Sequence, residues 1–187
     1  MRRLVITVDP QPTLTATSIR YPNGHIECYG RKLATSKRGK SRQICGWLNN
    51  NPERISDHFD SIFFGVTEYI YEGQTLGEAI SVDFVIEGQF KSKATMGLET
   101  FMKGWASVYF PCETRVRSIR AMDWQKVLES KPEERKDYAA ETYLEMMMND
   151  DVHIYLDDEF ITGKRVHDIT DTYLMLKWYD SGLNKKF

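Results

Sequence analysis

The chain has 187 residues, of which 41% are apolar, 28% charged and 12% aromatic, and a formal net charge of −2. That length suits a single domain over residues 1–187 with a core of its own, and the balance excludes a disordered chain, a collagen-like repeat and a disulfide-stapled miniprotein. No apolar run approaches the roughly 18 residues of a membrane-spanning helix. The N-terminal run Leu4–Val8 stops at Asp9-Pro10, too soon for a signal peptide, so no membrane partner is expected. Three cysteines, Cys28, Cys45 and Cys112, are widely spaced and lack CxxC spacing. They read as reduced, mostly buried thiols of an intracellular, cytoplasmic protein without a structural zinc site.

In chain order, LVITV is a short, nearly continuous apolar run, as a central strand requires. TLTATSIRY is rich in threonine and β-branched residues, Pro22-Asn23-Gly24 signals a turn, and HIECYGRKLA alternates as a hairpin partner. From Ser41 to Glu72 the apolar positions Ile44, Leu48, Ile55, Phe59, Ile62, Phe63, Val66 and Ile70 fall three or four apart. They predict one or two helices broken near Asn49–Pro52. ISVDFVIEGQF predicts another buried strand, residues 94–109 a helix ended by Pro111, and TRVRSIRAM an alternating strand. Pro132 opens a helix through about Met148. An acidic stretch containing Gly163 follows, and a last helix is predicted from about Lys164 to Tyr179. Three antiparallel strands followed by helix-linked strands predict an α/β fold, with one mixed sheet covered by helices.

The most telling acids stand where an acid is costly. Asp9 directly follows LVITV, and Glu87 directly follows VDFVI. An ionised carboxylate beside a core strand needs a strong partner, because uncompensated desolvation costs several kcal/mol. Each could simply cap a turn or pair with an arginine. Asp168 and Asp171, three apart in VHDITDTYLMLKW, share one helix face. The start of a helix favours negative charge, which explains either acid alone. Four carboxylates from two strands and one helix would form an oxygen-rich site for Mg²⁺ or Mn²⁺, whereas zinc or copper would favour His or Cys. Two such ions can drive phosphodiester hydrolysis.

The series VITVDP, VDFVIEGQF and HDITDTYLML, with a basic helix before the last motif, resembles the RuvC-type Holliday-junction resolvases of the RNase H-like superfamily. The pattern runs from Leu4 to about Trp178. The resemblance implies a five-stranded RNase H-like mixed sheet flanked by helices, and an endodeoxyribonuclease that resolves four-way junctions as a homodimer. By position, the family's metal ligands fall on Asp9, Glu87, Asp168 and Asp171. Its junction wedge, an aromatic three residues beyond the glutamate, falls on Phe90. Its basic catalytic residues fall near Lys126 and Arg135, with Lys131 and Lys136 as competitors. Two departures stand out. Gln11 replaces the glycine that usually follows the first aspartate, and the interval from Asp9 to Glu87 is longer than in bacterial members, as would suit a phage-borne or otherwise divergent relative. The resemblance leaves two alternatives: another RNase H-like nuclease, such as a viral terminase nuclease domain, or a non-catalytic module that binds nucleic acid.

Net charge does not decide the partner, because charge is unevenly distributed. Residues 31–42 carry six basic side chains and no acid, whereas residues 150–159 carry five acids. Arg31, Lys32, Lys37, Arg38 and Lys40 therefore form a candidate phosphate-contacting edge, which would position DNA without reading its sequence. Gly39-Lys40-Ser41 is not a P-loop, since that motif needs glycine where Ala34 stands. Asp150, Asp151, Asp157, Asp158 and Glu159 are expected to be a solvated loop, lacking calcium-loop spacing. His25, His58 and His153 have no partner at ligand spacing. His167 is expected to point off the face shared by Asp168 and Asp171.

Overall fold

A computed structural model describes residues 2–11, 14–33, 51–88, 93–125, 135–157 and 166–182, with the backbone alone described at 52, 93–95 and 135–137. Among them the elements run β1 (Arg2–Pro10), β2 (Leu14–Arg20), β3 (Ile26–Lys32), α1 (Pro52–Thr75), β4 (Ile80–Glu87), α2 (Lys93–Tyr109), β5 (Glu113–Ile119), α3 (Ala121–Trp124), α4 (Arg135–Met148), β6 (Val152–Leu156) and α5 (Val166–Asp180). The sheet order is β5-β4-β1-β2-β3-β6. β2 is antiparallel to both β1 and β3, while β4 runs parallel to β1, β5 to β4 and β6 to β3. β2 alone is opposed, so the other five strands end at the same edge of the sheet. This is the predicted mixed sheet, with three antiparallel strands and then helix-linked parallel ones.

Among the described residues the sheet has six strands where five were expected. The sixth, β6, lies inside the acidic stretch expected to be a loop. Its five residues gain their order from pairing with β3, where Ile26 meets Val152 and Gly30 meets Leu156. Asp157 is likewise not a solvated acid: Arg31 Nη1 donates to its Oδ1 at 2.7 Å, and the Lys32 backbone N–H donates to its Oδ2 at 2.9 Å. His25 and His153, unpaired by sequence spacing, meet across this same strand pair, His153 Nδ1 lying 3.3 Å from His25 Nε2. The one-turn helix α3 was also not predicted.

Alternation on β1 sorts the layers. Leu4, Ile6 and Val8 point to one face, where Ile55, Phe59, Ile62, Phe63, Val66 and Ile70 of α1 and Leu98, Met102 and Ala106 of α2 close the main core. That spacing is one stripe of a helix, as the sequence pattern predicts. Val5 points to the other face and packs with Val85 against Leu174, Met175, Trp178 and Tyr179 of α5. β1 is thus covered on both sides, which explains its unbroken apolar run. The hairpin turn forms as predicted, with Gly24 at φ +96° and its N–H donating to the Tyr21 carbonyl at 3.0 Å.

Candidate functional site

The site begins where β1 stops being apolar. Pro10 ends the strand, and the Gln11 N–H turns back to the Asp9 carbonyl at 3.1 Å. This three-residue turn brings the Gln11 side chain over the strand end. Asp9 shares the parity of Val5 and Thr7, so its carboxylate lies on the face covered by α5, and it is only 4% exposed. The parallel register pairs Val8 with Ile86. Asp9 and Glu87 therefore end neighbouring strands, and Glu87 shares the parity of Val85, whose side chain also meets α5. Glu87 is half-buried.

Hydroxyl groups fix where α5 crosses this face. Thr7 Oγ1 donates to the Thr172 carbonyl at 2.7 Å, and Ser18 Oγ and Thr172 Oγ1 share a hydrogen bond at 2.8 Å. Thr7, Ser18 and Thr172 are all fully buried. The helix is thereby pinned to β1 and β2 one turn after Asp168, which stands in the first turn of α5. There the unpaired N–H groups of the helix favour a carboxylate.

Pinning brings two distant acids to one group. Gln11 Nε2 donates to Asp9 Oδ2 at 3.0 Å and to Asp168 Oδ1 at 3.2 Å. Asp168 is 4% exposed, like Asp9. The exposed His167 ring places its Nε2 3.1 Å from Asp168 Oδ1, so this imidazole reaches the site instead of turning away from it. Asp171, three residues further along α5, is half-buried.

Three further acids, Asp83, Glu99 and Asp123, are buried elsewhere. Asp83 accepts from the Tyr179 hydroxyl and lies 3.5 Å from Arg3 Nε. Glu99 meets Lys103 Nζ at 2.9 Å and the Ser118 hydroxyl at 2.6 Å. Asp123 is gripped by Arg120 at 2.9 Å. What Asp9 and Asp168 have in common is a neutral amide.

The remaining predicted residues fall as follows. Phe90, Lys126, Lys37, Arg38 and Lys40 lie outside the described residues. Arg135 is the first residue of α4. Arg31 and Lys32 end β3, at the same edge of the sheet as Asp9 and Glu87, and both hold Asp157. Among the described residues, no group of three or more His, Cys, Asp or Glu side chains stands close enough together to hold a metal ion. The donors that do meet are carboxylate oxygens, the chemistry of a hard divalent cation. Sequence reasoning noted Gln11 as a departure from a motif and missed its contacts, since nothing local ties residue 11 to residue 168.

No family model matches the chain, and no curated protein matches it. Among solved structures, T. thermophilus RuvC in complex with Holliday junction substrate is similar over 96% of this chain and 95% of that one, at 11% sequence identity and a TM-score of 0.40. No helix among the described residues is long and apolar enough to cross a membrane.

Proposed function

We propose that this chain is a divalent-metal-dependent endodeoxyribonuclease that acts on branched DNA, with the four-way Holliday junction as its substrate. The observation that carries this reading is the meeting of Asp9 and Asp168, both 4% exposed, on the Gln11 amide at the carboxyl edge of the sheet. Two carboxylates buried side by side repel each other, and a fold keeps such a pair where function uses it. Asp9, Glu87, Asp168 and Asp171 would hold Mg²⁺ or Mn²⁺, two ions per site. When bound, such ions acidify a water for in-line attack and offset charge on the departing 3′ oxygen, leaving 5′-phosphate and 3′-hydroxyl ends.

The chain's own residues supply position. The Thr7–Thr172 and Ser18–Thr172 hydrogen bonds hold the first turn of α5 over β1. Lys126 and Arg135 are assigned to the scissile phosphate, and Phe90 to stacking on unpaired bases at the junction centre. Arg31, Lys32, Lys37, Arg38 and Lys40 are assigned to backbone phosphates. Two symmetric cuts need two sites, so the working form is a C2 homodimer. Its contact surface is assigned to α1 or α2, which expose Phe64, Tyr71, Met96 and Val108.

The test incubates the purified chain with Mg²⁺ or Mn²⁺ and a four-way junction, a linear duplex or an RNA–DNA hybrid. Paired nicks near the branch point are expected, and Asp168→Asn should abolish them while junction binding is retained. Equal loss of binding and cutting would deny Asp168 a catalytic role. Cutting of plain duplex would favour a terminase-like nuclease. A second reading, a non-catalytic nucleic-acid-binding module, is favoured by one observation: no three candidate ligands converge among the described residues. Binding without cutting in either metal would establish it.

A further inference from the structure

The arginines at the β5 side of the sheet are not all alike. Arg3 lies 3.5 Å from Asp83, Arg115 meets Glu113 at 2.9 Å, and Arg120, just beyond β5, meets Asp123 at 2.9 Å. Arg54 and Arg117, by contrast, have no carboxylate partner among the described residues. Arg54 stands exposed on α1, where water solvates it, whereas Arg117 is half-buried on β5. A guanidinium partly withdrawn from water loses hydration, and here no acid among the described residues makes up for it. An anion docked at β5 would do so.

The register says which anion reaches that place. Arg117 pairs with Val85, and Ile119 with Glu87, so Arg117 shares the face of Glu87 and is its diagonal neighbour. That separation is roughly 7–8 Å, which an arginine side chain spans. Helix α5 takes the other side of the acids: it is pinned to Thr7 and Ser18, and its Ile169 and Tyr173 pack with Ala16 and Cys28 of β2 and β3. β5 is the outer strand beyond Glu87, away from that crossing. Resting on the DNA reading above, we propose that Arg117 binds a backbone phosphate, and that the strand to be cut approaches Glu87 across β5. A guanidinium offers a phosphate two parallel N–H bonds. Such a contact places the strand without reading its sequence.

The test uses the full chain and a fluorescent four-way junction, with binding followed by anisotropy in EDTA over a range of KCl concentrations. Wild type is compared with Arg117→Gln, Arg117→Lys and, as a control on α1, Arg54→Gln. Arg117→Gln should bind junctions of unrelated sequence several-fold more weakly. Its slope of log affinity against log salt should be shallower by about 0.9, the loss of one phosphate contact. Arg117→Lys should keep the slope, and Arg54→Gln should keep both slope and affinity. Because Arg117 holds no acid among the described residues, Arg117→Gln should melt no lower than wild type without DNA. Wild-type affinity and slope in Arg117→Gln, or an equal loss in Arg54→Gln, would overturn the proposal and leave the DNA reading standing. A melt several degrees lower in Arg117→Gln would also overturn it, by making Arg117 a structural partner. A wild type that binds no junction would overturn the DNA reading, and this proposal with it.

Discussion

Asp83 and Asp9 lie on the same face of neighbouring strands, at opposite ends of the ground that α5 covers, and each carries a buried carboxylate. Asp83, 1% exposed, is satisfied locally by the Tyr179 hydroxyl and Arg3. Burial and the adjacent carboxylate push the Tyr179 hydroxyl above its ordinary pKa, so it remains a donor. Tyr179→Phe should therefore cost about 1–3 kcal/mol in urea unfolding, the usual penalty for leaving a buried acceptor short of a partner. A loss below about 0.5 kcal/mol would mean that Arg3 holds Asp83 alone. Asp9 is a different case. One donor that reaches it, Gln11 Nε2 at 3.0 Å, is a neutral amide on a turn. In sequence these two aspartates look alike, each beside apolar strand residues. Only the path of α5 separates a structural acid from a candidate ligand.

At the scale of elements, the central strand and the α1 stripe were legible because burial writes its own period. β1 is covered on both faces and reads as a solid apolar run; α1 is covered on one and repeats at three and four. β6 was not legible, because five residues between acids carry too little pattern and their order comes from pairing with β3, far away in the chain. A half-buried histidine stands at that strand pair. His58 on α1 lies near Arg31 and Asp157 at the β3–β6 edge, and its Nε2 is sequestered with no hydrogen-bond partner among the described residues. Burial lowers its pKa to about 4, against the opposing pull of Asp157. The folded protein therefore keeps His58 neutral while the unfolded chain takes up a proton. Stability should be full above the ordinary histidine value of about 6.5 and fall as the pH drops toward about 4. Between pH 7.5 and pH 5, wild type should lose roughly 2 kcal/mol more than His58→Gln in urea unfolding. Equal losses in the two proteins would show that His58 titrates normally.

For the whole molecule, the arrangement is a mixed sheet with its main core on one side and its candidate chemistry on the other. The α1 and α2 side is a packed apolar layer, whereas the α5 side mixes apolar contacts with the Thr7, Ser18 and Thr172 hydroxyls and the buried acids Asp9, Asp83 and Asp168. The carboxyl edge, where five strands end together, is the usual place for a site in a sheet of this kind. The order of motifs along the sequence was enough to place Asp9, Glu87 and Asp168 at that edge or over it. It could not reveal that an amide joins two of them, because that contact needs the sheet, the turn after Pro10 and the helix crossing all at once. The most direct measurement is therefore crystallographic: anomalous scattering from crystals grown in saturating Mn²⁺. The account predicts manganese density at the Asp9 and Asp168 carboxylates, within reach of Glu87. Crystals with no manganese at these carboxylates would contradict it.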